Sequence, residues 1–260
     1  MFNFGKVEKK IYSLREEHPL VIPQIDPDKI SSDDAISTLK KLESMGVGHI
    51  AIGSSLSDPV VTQTLLDVIM KDFDFSVTTY ISNTSSFLLK GKKGRAALYW
   101  ATVFNANNTF FLKDSLIMGS PFINKDLLEP IPSAYVFDER GSKGTANWLA
   151  QPNSILREKP EISLATALAC QYLGIRFYIM AGGSGSLLPP PESHVKLLSK
   201  KTELFLIPTS GIKALEDIRN LFDAGADAMH IGAALEGKDG LVKFQKMFDL
   251  SKKYCGKKFI

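Results

Sequence analysis

Three short segments late in the chain, AGGSGS (181–186), TSG (209–211) and GAA (232–234), each follow a run of β-forming residues and carry almost no side-chain bulk. Such residues let a ligand approach the main chain, and the N–H groups of a turn feeding a helix can hold a dianionic phosphate. Any one segment alone reads equally as a tight strand-to-helix turn. Three in succession, with Gly182, Gly183, Ser184, Ser210, Gly211 and Gly232 at their centres, point to a phosphorylated ligand. GGSGSL is not a dinucleotide fingerprint, because G-x-G-x-x-G, a helix and a later acidic residue do not occur together.

A second cluster opens at IPQIDPDK (22–29), where Asp26 ends a strand-like run and Pro27 turns the chain away. A hard divalent cation suits it, since Mg2+ takes one or two protein carboxylates and completes its shell with phosphate oxygens and water. Ser54 and Ser55, in IAIGSSLSDP, could add a hydroxyl or backbone ligand from the neighbouring loop; capping of turns and helices is the plain alternative for all three. Asn105, in VFNANNTFF, is placed to meet a ligand or to form a turn. Tyr178 lies on the opposite strand face from Phe177 and Ile179, so it either aims its hydroxyl at a ligand or packs. His18, His49, His194 and His230 show no metal or triad spacing, and structural roles are expected for them.

The elements that must position these groups alternate. Eight β-rich runs, at 20–26, 49–52, 75–81, 97–104, 134–138, 176–181, 203–208 and 228–231, are separated by helical patterns, the signature of βαβ units around a parallel sheet. Leu215, Ile218 and Phe222 recur at helical steps before Gly225. Ile162, Ala165, Leu168, Ala169 and Tyr172 do so before Gly174, and Ser31 or Ser32 offers a helix cap. Residues 82–95 lack any sustained period and read as a loop or an irregular replacement for the third helix. Residues 1–17 suit an amphipathic helix packed on the base of the sheet, with a membrane-surface or partner-binding role as the alternative. With 260 residues the expectation is one α/β domain, a (β/α)8 TIM barrel over 18–260 preceded by the 1–17 extension.

A net charge of +3 from 31 basic and 28 acidic residues supplies no field for nucleic acid, and none is expected as a partner. The two cysteines sit in no metal-binding spacing, which fits a reducing cytoplasm. No run resembles a signal peptide or approaches ~18 apolar residues, so neither secretion nor membrane spanning is expected.

Taken in order, IDPDK, IGSS, VFNANN, FYIMAGGSGSLLPPPE, TSGIKALEDIRNLFDAGAD and HIGAALEG, together with GTANWLAQP, resemble the geranylgeranylglyceryl and heptaprenylglyceryl phosphate synthases over about residues 20–240. The resemblance implies a TIM-barrel prenyltransferase that moves a polyprenyl group from its diphosphate to a hydroxyl of glycerol 1-phosphate with Mg2+ as cofactor. It further implies that Asp26 and Ser55 hold the metal. Tyr178, Gly182, Gly183, Ser184, Ser210, Gly211, Gly232 and Ala233 would surround the acceptor phosphate, with Tyr178 and Asp26 serving catalysis. A homo-oligomer with peripheral membrane contact is expected as well. The chain departs from the family where a YxE strand carries the glutamate thought to receive the acceptor's proton, since it has Tyr178, Ile179 and Met180, and methionine cannot act as a base. Three readings follow: another base or water serves; the acceptor differs, for example 3-phosphoglycerate; or the barrel binds phosphate or prenyl ligands without turnover. If loss of that carboxylate is the whole defect, restoring it by Met180→Glu should switch on activity with glycerol 1-phosphate.

Overall fold

In the computed structural model, residues 4–81, 84–140, 144–232, 235–237 and 239–258 are described. Eight strands run parallel: β1 (Leu20–Ile25), β2 (His49–Ile52), β3 (Ser76–Thr79), β4 (Ala96–Val103), β5 (Glu129–Phe137), β6 (Phe177–Ala181), β7 (Phe205–Pro208) and β8 (Ala228–Ile231). Their order is β7-β6-β5-β4-β3-β2-β1-β8, and a parallel bridge between Thr209 and His230 draws β7 to β8 to close the cylinder. This is the (β/α)8 barrel expected.

Helices α1 (Lys6–Glu17), α2 (Ser32–Ser44), α3 (Pro59–Asp72), α4 (Ser115–Gly119), α5 (Thr145–Ala150), α6 (Pro160–Tyr172), α7 (Glu192–Lys201), α8 (Leu215–Asp223) and α9 (Gly240–Ser251) accompany the sheet. The α2 cap is Ser31, whose hydroxyl accepts from the Asp34 N–H at 3.2 Å. Between β3 and β4 the described residues hold one 3-10 turn, Thr84–Leu88, where a full helix would stand in a regular barrel.

Strand β5 begins five residues before the expected 134. Pro130 and Pro132 mask it in the sequence, because proline supplies no ladder N–H. Both are tolerated because β6 pairs with β5 only from Ser133 onward, and the Pro132 carbonyl still accepts from Arg176 N at 3.1 Å. The missing N–H groups face a place where the neighbouring strand has not yet begun.

Side chains divide between two layers. Val21, Ile25, Leu39, Leu66, Val136, Met180, Val195 and Leu206 belong to the shell between strands and helices, whereas Ile22, Ala51, Tyr99, Ile131, Phe177, Ile179, Phe205 and Ile207 fill the interior. Helix α1 closes the base. Its Val7 and Ile11 are fully buried in the interior cluster, and its first-turn N–H groups at Val7 and Glu8 are capped by the Glu129 carboxylate at 2.9 and 3.0 Å. Ion pairs from Glu8 to Arg176 and from Arg15 to Asp227 hold it in place.

Candidate active site

At the carboxyl ends of the strands lies a cavity of about 460 Å³. Asp26, Ser55, Gly183, Ser184, Ser210, Gly211 and Gly232, scattered over 207 positions from first to last, all line it. Ala233 lies outside the described residues. The opposite wall is apolar, formed by Ala101, Val103, Phe111, Phe137, Ala146 and Leu149.

The phosphate-type loops owe their shape to a buried arginine. Arg140 follows β5, is 2% exposed, and pairs with the buried Asp138 through both Nε and Nη2. Its Nη1 donates to the carbonyls of Thr209 and Ser210 at 2.7 and 2.8 Å, and Nη2 to that of Met180 at 3.2 Å. One guanidinium thus ties together the ends of β5, β6 and β7. Because a trans peptide points C=O and N–H in opposite directions, the Ser210–Gly211 N–H faces away from Arg140. Ser210 and Gly211 both adopt positive φ, 68° and 70°. A Cβ at Gly211 would collide with the Leu188 carbonyl, so this position requires glycine for backbone conformation and for close approach.

Three expected ligand contacts are corrected. Gly182 sits behind the cavity, where a Cβ would strike Ser186 Oγ and the Arg140 guanidinium; its glycine admits the arginine. Asn105 is a bracket for the β4 and β5 ends: Nδ2 donates to the carbonyls of Phe137 and Asn153, both at 2.8 Å, and Oδ1 accepts from Phe137 N at 3.0 Å. Both N–H groups of that amide and one lone pair of its oxygen are thereby used within the protein. Tyr178 is 0% exposed in the outer shell, its hydroxyl beside Ser163 of α6, and burial pushes its phenol well above the ordinary value. Met180 lies on the same outward face, so neither it nor Tyr178 reaches the mouth.

Around Asp26 the rim is polar. Its carboxylate accepts from Asp28 N at 3.2 Å and lies 3.5 Å from Lys29 Nζ, which also pairs with Glu236 at 3.1 Å. A carboxylate offers about four lone-pair positions, so this one retains acceptor capacity towards the cavity. Among the described residues no three His, Cys, Asp or Glu side chains are grouped to hold a metal ion. Asp26 and Ser55, lining the same cavity, instead fit a Mg2+ that would bring most of its shell from phosphate oxygens and water.

Polar groups also cross the barrel interior. His230, on the cavity floor, is hydrogen-bonded through Nδ1 to Tyr80 Oη and through Nε2 to Tyr99 Oη at 3.2 Å; Tyr99 is bonded to Thr78. Thr78 meets His49 Nε2 at 3.2 Å, and His49 Nδ1 meets Ser76 at 2.8 Å. Burial pushes both imidazoles down to about 3. They are neutral in the folded protein but take up protons near ~6.5 once unfolded. Below that pH the unfolded chain binds more protons, so stability should fall as pH drops from about 6.5 towards 3, by ~1.4 kcal/mol per pH unit for each histidine. Thermal melts between pH 7 and pH 4 test this; a midpoint constant across that window would contradict it.

A model of the PcrB family matches residues 12–251. The geranylgeranylglyceryl phosphate synthase of Pyrococcus furiosus is 31% identical over 246 residues, covering 94% of this chain and 96% of that protein. The enzyme of the same name from Thermococcus gammatolerans is 31% identical over 254 residues, covering 96% and 97%. Among solved structures, (S)-3-O-geranylgeranylglyceryl phosphate synthase from Thermoplasma acidophilum, in complex with its substrate sn-glycerol-1-phosphate, superposes with a TM-score of 0.85 at 20% identity, over 96% of this chain and 100% of that one. At that identity the superposition speaks for the fold.

Proposed function

The chain belongs to the PcrB family, that of the geranylgeranylglyceryl phosphate synthases, and we propose that it joins a polyprenyl diphosphate to a hydroxyl of glycerol 1-phosphate, with Mg2+ as cofactor. One observation carries the reading: a single cavity has glycine- and serine-rich loops on its β6, β7 and β8 side, an apolar wall on its β4 and β5 side, and Asp26 at the rim. An acceptor phosphate and a hydrocarbon tail are thereby accommodated at opposite sides of one reacting centre.

In this mechanism the main chain at Gly183, Ser184, Ser210, Gly211 and Gly232 binds the acceptor phosphate, which fixes the glycerol hydroxyl in the cavity. Val103, Phe111, Phe137 and Leu149 shelter the prenyl tail and exclude water from an allylic centre that would otherwise be hydrolysed. Asp26 and Ser55 would hold Mg2+, which when bound would supply charge neutralisation for a departing diphosphate. Trp148 on α5, 74% exposed beside the lining residue Leu149, supports contact with a membrane surface from which so apolar a donor would be drawn.

Purified protein supplied with glycerol 1-phosphate and prenyl diphosphates from farnesyl to heptaprenyl length should release diphosphate and form the ether phosphate, detected by mass spectrometry. Chelation by EDTA should stop the reaction. Asp26→Asn should weaken its apparent affinity for Mg2+ by on the order of 10²-fold, read from a Mg2+ titration of the rate. Silence across all donors with Mg2+ present would reject the proposed activity.

A further inference from the structure

Etherification removes a proton from the acceptor hydroxyl, and Met180, packed on the outward face of β6, offers no base for it. Of the ionisable groups that line the cavity, Asp26 and Glu236 are engaged with Lys29 at the rim, and Lys213 is an exposed cation. Tyr135 lies on the β5 side. Tyr80 and His230 differ from these in forming a hydrogen-bonded pair. They line the floor together, joined by a hydrogen bond across 150 positions of sequence.

We infer that Tyr80 and His230 act as the proton acceptor for the attacking hydroxyl. The inference rests on the prenyl transfer proposed above. His230 stands two residues before Gly232 on β8, so the imidazole occupies the interior directly beneath the phosphate loops. In the tautomer this role requires, Nδ1 accepts from Tyr80 and the Nε2–H donates to Tyr99. The acceptor oxygen forms its bond to C1 of the prenyl group as the C1–O bond to diphosphate breaks, and the electron pair of that bond leaves on the diphosphate. The hydroxyl proton passes to Tyr80 Oη while the phenol proton moves to His230 Nδ1, giving an imidazolium that returns its proton to the departing diphosphate.

Burial keeps His230 neutral before the reaction and lowers its basicity. Its weakened basicity is no obstacle, because the acceptor hydroxyl becomes strongly acidic as its oxygen bonds to C1.

The test compares Tyr80→Phe, His230→Gln and the double variant with the wild-type enzyme, using glycerol 1-phosphate and the donor on which the wild type turns over best. Each single change should lower kcat by on the order of 10²-fold while KM for the acceptor stays within about threefold. The double variant should be no slower than the worse single one, because the two side chains act as one unit. A merely structural role would instead raise KM or lower the melting temperature in step with activity, and that pattern would overturn the assignment. Tyr80→Phe removes a single oxygen and serves as the decisive variant should His230→Gln fail to fold. Full kcat in Tyr80→Phe rejects the relay alone; an inactive wild type rejects the relay and the prenyl transfer together.

Discussion

Replacing Arg140 with methionine should destabilise the protein by about 3–5 kcal/mol, because Asp138 would keep its charge in a buried site with its main partner gone. The carbonyls of Thr209, Ser210 and Met180 lose a donor in the same stroke. Desolvation already pushes the Asp138 carboxyl above its usual range, and Arg140 is the principal group opposing that shift. Urea denaturation measures the loss. A second comparison separates the pair from the loops it shapes. Adding Asp138→Leu to Arg140→Met removes the stranded charge and should recover much of the stability. Affinity for glycerol 1-phosphate by calorimetry should stay weak, since the Thr209 and Ser210 carbonyls would still lack the donor that orients them. Recovery of both together would mean that the arginine serves only its partner carboxylate.

Met180→Glu should lose stability, on the order of 3 kcal/mol or more, without gaining prenyl transfer. The position belongs to the outer shell with Val136, Leu206 and Leu198, and Met180 is 2% exposed. A carboxylate there meets helix side chains, so this result would contradict the expectation that the glutamate merely needs restoring. Melting temperature and the prenyl-transfer assay decide the matter together: a stable, faster variant would require β6 to present its other face.

The two faces of β6 mark where the sequence stops speaking. Alternation places Tyr178 and Met180 on one side and Phe177 and Ile179 on the other, but says nothing about which side is inward. That is settled by partners far along the chain. Phe177 stacks on Phe205 with ring centroids 4.8 Å apart, and Tyr12 of α1 meets both rings edge-on, so the aromatic pair claims the interior and Tyr178 is turned out. Strand positions, the missing third helix and the grouping of Asp26 with the late loops were legible because each depends on local residue type or on the general rule that barrel loops converge. The start of β5 was hidden by Pro130 and Pro132. Arg140 looked like any charged loop residue in FDERGS, and His230 like a stray histidine. Their importance lies in contacts with Ser210, Tyr80 and Tyr99, about which spacing carries no signal.

Asp227, fully buried at the start of β8, is bound by Arg15 of α1 at 3.2 Å and approached by Lys257 at 3.6 Å, while Gly256 N donates to Glu17 O at 3.2 Å. Helix α1 and the segment after α9 therefore share one anion. If either segment frays, the carboxylate loses half of its neutralising charge and the grip on the other loosens, so the two should unzip as a single event and protect one another's amides from exchange in parallel.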